Sequence, residues 1–336
     1  MKSSFWNKFL VTPTKINFPN YKFDLHVHSQ NSDGKLFPKE LIESARKNNI
    51  KLISITDHQT IDSYKDELFQ NAKKNNIDLL PGIEIECQGE LDILIYDLNP
   101  NEISQEFKLK INELLTYLNK KRNKYILESI NKIKEVITTS KDFDWIVWDS
   151  FNDLQKNNFW KQFNFENASK IDLETGELNL PNRTYVSKPH LAKLLSTFGV
   201  IDMRKVDSSL NYQADEKNKF IQKHFIDKVI GWGLNDLSFD YETLKLIKEL
   251  PFIKIIAHPG KPFERWNNSN DEKEFINFLE SLFVFNMDGI EGDYRHYKEM
   301  GLNYNKVSKI YLKNRVKAKN TVLFCTGGSD SHKNLD

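Results

Sequence analysis

The sequence places two histidines one residue apart, His26 and His28, in the run Asp24-Leu25-His26-Val27-His28. On an extended strand alternate side chains share a face, so both rings can reach one metal ion from a rigid backbone. Asp33 follows in Ser32-Asp33-Gly34, a turn from which a carboxylate can swing over the strand's end. By itself the pair also fits a surface strand with two incidental histidines. The rest of the chain decides against that. It supplies Asp57-His58, Glu84 after Pro81-Gly82-Ile83, His190 after Ser187-Lys188-Pro189, His258 in Ala257-His258-Pro259-Gly260, and Asp330 with His332 in Ser329-Asp330-Ser331-His332.

These residues need a scaffold that gathers them. Apolar runs that read as buried strands recur at 22–27, 51–56, 79–86, 91–96, 252–257, 289–291 and 321–325, with helical patterns between most of them. The third and fourth can form a hairpin across Gln88-Gly89-Glu90. This alternation predicts an α/β fold, a parallel barrel or wound sheet, interrupted by a helical insert. The expected division is an N-terminal extension 1–20, a discontinuous barrel 21–100 and 186–336, and an aromatic-rich insert 101–185. The insert's aromatics (Phe143, Trp145, Trp148, Phe151, Phe159, Trp160, Phe163 and Phe165) read as a small core in preference to a base-stacking surface. Chemistry in strand-helix barrels gathers at the carboxyl ends of the strands. Six of the eight histidines fall at that end, where chance would scatter them over helices and loops.

Imidazoles and carboxylates without a thiolate in register suit Mn²⁺, Fe²⁺ or Zn²⁺, not Cu(I). The nine groups His26, His28, Asp33, His58, Glu84, His190, His258, Asp330 and His332 exceed the about four ligands of one tetrahedral ion. They suffice for two or three ions, with Mn²⁺ favoured. Clustered divalent ions clamp a phosphate and acidify a bridging water into a nucleophile near neutral pH. Asp57 is the catalytic candidate, able to orient His58 or shuttle a proton, with helix capping as the rival role. Lys261 is placed for a phosphate contact, its alternative being a solvated lysine. Arg265, Arg295 and His296 are further candidates for that contact.

Bulk composition narrows the class. Lys+Arg 48 against Asp+Glu 47 leaves a net charge of +1 over 336 residues, with no excess to bind duplex nucleic acid indiscriminately. Two cysteines, Cys87 and Cys325, argue against a disulfide scaffold and suit a reducing compartment. The first 20 residues are too interrupted for a signal peptide, and no apolar run reaches membrane-spanning length. The expectation is a cytoplasmic protein without a membrane partner.

The segments Asp24-Leu25-His26-Val27-His28, Ser32-Asp33-Gly34, Ile55-Thr56-Asp57-His58, Pro81-Gly82-Ile83-Glu84-Ile85, Ile256-Ala257-His258-Pro259-Gly260 and Gly328-Ser329-Asp330-Ser331-His332 resemble, in order and spacing, those of the PHP (polymerase and histidinol phosphatase) metal-dependent phosphoesterases. The resemblance is closest to the branch that hydrolyses nucleoside 3′,5′-bisphosphates and trims short RNA from its 5′ end. It implies a distorted seven-stranded (β/α)₇ TIM-like barrel holding three ions. His26, His28 and Asp330 would bind the first, His190 with His258 the second, and Asp33, His58 and His332 the third, with Glu84 bridging the first two. The implied partner is a phosphorylated small molecule or a short oligonucleotide. A non-nucleotide phosphatase, acting on histidinol phosphate or a phosphoprotein, and a non-catalytic metal-stabilised module remain the alternatives. Two departures stand out: a longer, more aromatic insert, and a chain that stops four residues after His332, short of the family's closing segment.

Overall fold

A computed structural model describes residues 4–87, 91–139, 142–173, 175–180, 185–202, 205, 214–230, 241–267, 271–294, 302–332 and 335. The chain forms two compact units: Met1–Thr116 with Leu237–Asp336, and Tyr117–Asp236.

Among the described residues the first unit holds nine strands: β1 (Leu10–Val11), β2 (Lys22–Val27), β3 (Ile50–Ile55), β4 (Asp78–Leu79), β5 (Gly82–Glu86), β6 (Asp92–Tyr96), β7 (Ile253–Ile256), β8 (Gly289–Tyr294) and β9 (Leu323–Gly328). They form a six-stranded sheet ordered β1-β9-β8-β7-β6-β5 and a three-stranded sheet ordered β2-β3-β4. Single backbone bridges, Val27↔Ser331 and His58↔Glu84, link the carboxyl ends of one sheet to the other.

Each of the seven expected apolar runs contributes a strand, but two features differ from the expectation. The run 79–86 is split into β4 and β5, because Pro81 at the break has no amide to donate to a ladder. The sheet is mixed, not wholly parallel: β6 runs antiparallel to both β5 and β7, while β2–β3, β3–β4, β7–β8 and β8–β9 are parallel. The connection 87–91 is too short for the crossover that a parallel partner requires. Its expected turn, Gln88-Gly89-Glu90, lies outside the described residues.

The inward faces of the strands meet in one apolar cluster, with Leu25, Leu52, Leu80, Leu94, Tyr96, Ile255 and Phe324 buried together. The stretch read as an N-terminal extension joins it. Trp6 and Phe9 are fully buried there, and β1 pairs with the edge of β9. Burial of such rings stabilises by about 2 kcal/mol or more apiece, so this segment is part of the unit's core. On the outer face, the helices Pro38–Lys47 and Asp66–Lys74 pack Leu41, Ile42, Ala45, Leu68 and Ala72 against Val27, Ile53, Ile55 and Leu79.

The second unit has its own core, built from Ile126, Ile130, Ile133, Phe159, Phe163, Leu191, Leu195 and Phe225. Phe143, Trp145, Trp148, Phe151 and Phe165 pack against it, so most of the aromatic stretch is structural. The unit's bounds fall later than the insert read as 101–185. The helix Gln105–Thr139 starts in the first unit, where Phe107 packs on Phe252 with ring centroids 4.8 Å apart. The helix Lys188–Thr197, expected on the barrel side, packs in the second unit's core. Among the described residues, no helix is long and apolar enough to cross a membrane.

Candidate metal centre

Most candidate ligands in the first unit sit in or just past the end of a strand, in a backbone arranged for close approach; Glu84 lies in the middle of β5 and Asp33 in the turn beyond β2. His26 and His28 close β2, whose pairing with β3 slips between Asp24 and Val27. The Asp24 carboxylate spans that slip, accepting from the His26 N–H at 3.2 Å and the Ser329 N–H at 2.9 Å. Glycine is required at two places. A Cβ on Gly34 would lie 2.2 Å from the His28 carbonyl oxygen, and one on Gly328 would lie 2.3 Å from His26 Cβ. His258 and Asp330, just past β7 and β9, take positive φ values of 22° and 50°. Such conformations cost a non-glycine residue about 1–3 kcal/mol and recur at functional sites.

Among the described residues three groups of ligand atoms result, each with its members within 4.8 Å of one another: His26, His28, Glu84 and Asp330; His28, Asp33, His58 and His332; and Glu84, Asp92 and His258. Glu84 links them. Its Oε1 stands 3.1 Å from His26 Nε2 and 3.3 Å from His258 Nε2, and its Oε2 stands 3.2 Å from both His28 Nε2 and His58 Nδ1. Asp330 Oδ1 is 3.1 Å from His28 Nε2 and 3.5 Å from His26 Nε2. Asp33 lies 3.3 Å from His332 Nε2 and 3.8 Å from both His28 Nδ1 and His58 Nε2. His26 and Glu84 are fully buried, whereas the side chains of Asp33 and His332 are 14% and 37% exposed. The cluster therefore opens on the side of Asp33 and His332.

Electrostatics set the protonation of this cluster. Burial works to lower the His28 pKa, but Asp330 and Glu84 outweigh it and raise the ring to about 10. Burial likewise opposes the rise at His26 and at His332, where Glu84 and Asp33 respectively prevail. For His58, burial dominates and lowers the pKa to about 4. His258 is also lowered, by burial and then by Lys261. The carboxylates of Asp33, Glu84 and Asp330 are held well below their ordinary range; burial opposes this, and the surrounding histidines, with Lys261 beside Asp330, overcome it.

The donor set fits divalent cations. His26 Nε2 and Glu84 Oε2 are buried without a hydrogen bond. Such atoms are costly to bury unless something satisfies them. Imidazole nitrogens and carboxylate oxygens converging on shared points suit Mn²⁺, Fe²⁺ or Zn²⁺.

Asp57, the catalytic candidate beside His58, spends both of its carboxylate oxygens on serines. Its Oδ1 accepts from the Ser29 N–H at 2.6 Å and the Ser32 hydroxyl at 2.8 Å. Its Oδ2 accepts from the Ser29 hydroxyl at 2.7 Å and from the Ser63 hydroxyl. This carboxylate braces the loop that carries Asp33 and caps no helix. Lys261 reaches Asp330 Oδ2 at 2.7 Å, and the Tyr294 hydroxyl donates to the same oxygen at 2.9 Å. Arg265 belongs to the helix Gly260–Asn267, but its side chain, like all of Arg295 and His296, lies outside the described residues. The three groups consist of first-unit residues. His190 belongs to the second unit, buried at the start of the helix Lys188–Thr197, where its Nδ1 accepts from the Ser187 N–H at 3.1 Å.

Sequence reasoning missed Asp92, Glu291 and Tyr294. Asp92 Oδ2 stands 3.6 Å from His258 Nε2. The strand run at 91–96 contained Asp92 in plain view, and a lone carboxylate opening an otherwise apolar strand was the available signal. Glu291 is fully buried on β8 with Oε1 3.2 Å from His26 Nδ1.

A family model for the PHP domain matches residues 24–236. The chain belongs to the PHP domain family. The matched PHP stretch takes in His26, His28, Asp33, His58, Glu84 and His190, while His258, Asp330 and His332 lie beyond it. Over 69 residues the chain is 41% identical to a 5′-3′ exoribonuclease of Haemophilus influenzae, which is 20% of this chain and 25% of that protein. Over 45 residues it is 44% identical to an uncharacterised protein of Methanocaldococcus jannaschii, 13% of this chain and 21% of that one. The chain thus matches only about a quarter or less of these relatives' lengths. A solved structure of a candidate metal-dependent phosphoesterase from Bifidobacterium adolescentis superposes with a TM-score of 0.54 at 21% identity, over 94% of this chain and 89% of that one. That likeness speaks to the fold.

Proposed function

We propose that this PHP-domain protein is a metal-dependent phosphoesterase that hydrolyses a phosphomonoester of a nucleotide, a 3′,5′-bisphosphate or the 5′ end of a short oligonucleotide. The observation that carries the reading is Glu84, one buried carboxylate within 3.3 Å of four imidazoles. A structural ion pair needs one partner; a carboxylate facing four ring nitrogens is what a bridge between neighbouring cations requires. The two bridges between the sheets support closure into the seven-stranded barrel that the sequence resembles.

In this reading His26, His28 and Asp330 would hold one ion, Asp33, His58 and His332 a second, and His258 with Asp92 and Glu84 a third. Divalent ions there, Mn²⁺ for preference, supply Lewis-acid polarisation of a phosphoryl oxygen and an acidified water. The chain's own residues do the rest. Asp33 and His332, at the open side, receive the substrate. Buried His26 and Glu84 exclude bulk water, which strengthens every electrostatic contact inside. Lys261 exchanges part of its contact with Asp330 for a substrate phosphate, and the Tyr294 hydroxyl keeps Asp330 in place when it does. The partial likeness to an exoribonuclease favours a nucleotide.

The test is phosphate release from a panel of substrates by purified protein with Mn²⁺. The panel comprises adenosine 3′,5′-bisphosphate, a 5′-phosphorylated trinucleotide, histidinol phosphate, a phosphopeptide and p-nitrophenyl phosphate. Preference for the first two, abolished by chelator and restored by Mn²⁺, is the expected result. Hydrolysis of none of them would overturn the reading, and preference for histidinol phosphate or phosphopeptide would overturn its nucleotide part.

A further inference from the structure

Glu291 has no place in the chemistry described so far, yet it is a fully buried carboxylate within hydrogen-bond reach of two cluster residues. Its Oε1 stands 3.2 Å from His26 Nδ1. Its Oε2 accepts from the His258 backbone N–H at 3.0 Å. An imidazole that donates Nδ1–H to a carboxylate is fixed in the tautomer whose Nε2 carries the lone pair. His26 Nε2 is the atom that stands 3.1 Å from Glu84 Oε1 and 3.5 Å from Asp330 Oδ1. The second contact bears on a residue in a sparsely populated conformation, since His258 has φ 22° and its ring faces Glu84 at 3.3 Å. Gly328 makes the arrangement possible: a Cβ there would lie 2.9 Å from Glu291 Oε1 as well as 2.3 Å from His26 Cβ. A carboxylate that merely tied β8 to β7 would need only the amide contact. Its other oxygen is spent on the ring of His26.

We infer that Glu291 is a positioning residue of the metal centre. It presets the His26 tautomer so that Nε2 faces the cluster, and it holds the His258 backbone in the conformation that turns that ring inward. The inference rests on the metal-binding reading above.

Calorimetric titration of the full chain with Mn²⁺ compares wild type with Glu291→Gln, alongside thermal melts in chelator and ¹⁵N spectra of His26 in the Zn²⁺-loaded wild type. Glutamine keeps the size but offers His26 an amide that can present either an oxygen or an N–H. The expected results are a loss of about 10–100-fold in affinity for at least one ion, an unchanged chelated melt, and an Nδ1–H tautomer at His26 in wild type. A purely structural role would leave the Mn²⁺ affinity of folded Glu291→Gln at the wild-type level. Unchanged affinity in Glu291→Gln, or an Nε2–H tautomer in wild type, would overturn the inference while leaving metal binding intact. If Glu291→Gln does not fold, the same titration of Glu291→Asp decides, and an affinity equal to wild type there would overturn the inference. A wild type that takes up no metal would overturn the metal-binding reading, and this inference with it.

Discussion

His28 and Asp330 stand 302 positions apart in sequence, and their side chains meet at 3.1 Å in the buried centre of one cluster. The contact spans β2 and the end of β9, two strands joined there by the bridge Val27↔Ser331. The site is thus assembled by the closing of the chain's two ends on one another. Damage at that seam should be felt as lost metal binding before it is felt as lost fold.

Glu84 is the residue whose change costs most. Glu84→Gln removes the charge facing His26, His28, His58 and His258 while keeping the volume. Phosphate release should fall by about 100-fold or more, on the scale of losing a ligand and not merely its supporting contacts. His58→Ala and His258→Ala should behave alike, with circular dichroism close to wild type. Turnover that survives in any of the three would count against the proposed site.

Metal uptake should expel protons. In the metal-free protein His28 is raised to about 10, so near pH 7.5 the ring is charged and must lose its proton to bind a cation. His26, likewise raised, adds to the release. Metal affinity should therefore strengthen as pH rises from 6 toward 10. The stability that charged His28 lends the metal-free fold runs the other way: it is fully present below the ring's unfolded value near 6.5 and is lost as pH rises through about 10. Calorimetry in buffers of different ionisation heat reads the release directly, and a binding heat independent of buffer would be the contrary result.

Gly328→Ala tests the close approach of β9 to β2. The added carbon would sit 2.3 Å from His26 Cβ and 2.8 Å from its backbone nitrogen, so the strands must part. Chemical denaturation should show a loss of about 1–3 kcal/mol, with weaker Mn²⁺ binding in the protein that remains folded. Wild-type stability would mean the strands have slack that this geometry denies.

Asp57 separates bracing from proton transfer. Asp57→Ala deprives four donors on Ser29, Ser32 and Ser63 of their acceptor, at a cost of about 3 kcal/mol or more. Asp57→Asn keeps part of the network. At saturating Mn²⁺ its kcat should stay within about tenfold of wild type with an unshifted pH profile, since general acid–base catalysis contributes typically 10²–10⁴-fold. A collapse in kcat at full metal occupancy would restore the catalytic role expected from the sequence.

Much of this was legible in the residues themselves. The seven apolar runs marked strands because burial demands continuous or alternating hydrophobicity, and most of the candidate ligands fell within those runs or just past them. What stayed hidden has physical causes. The antiparallel setting of β6 depends on a short connection whose direction periodicity does not encode. Trp6 and Phe9 sit in a segment too irregular to show a pattern, yet they fill the inner core. Glu291 lay inside an apolar run and read as a strand residue; only the spatial meeting of β8 with β2 brings its carboxylate to His26. The place of Asp57 next to His58 points to that ring, while its hydrogen bonds to Ser29 and Ser32, 28 and 25 positions away, and to Ser63 appear only in three dimensions.

The proposed chemistry requires this cluster to be a multinuclear metal centre. The direct measurement is the number of ions per chain, read by elemental mass spectrometry after the chelated protein is loaded with Mn²⁺ and freed of excess, for wild type and Glu84→Gln. Two or three ions in wild type, and fewer in the variant, are the predicted result. A wild type that retains no Mn²⁺, Fe²⁺ or Zn²⁺, or a Glu84→Gln that retains as many ions as wild type, would contradict it.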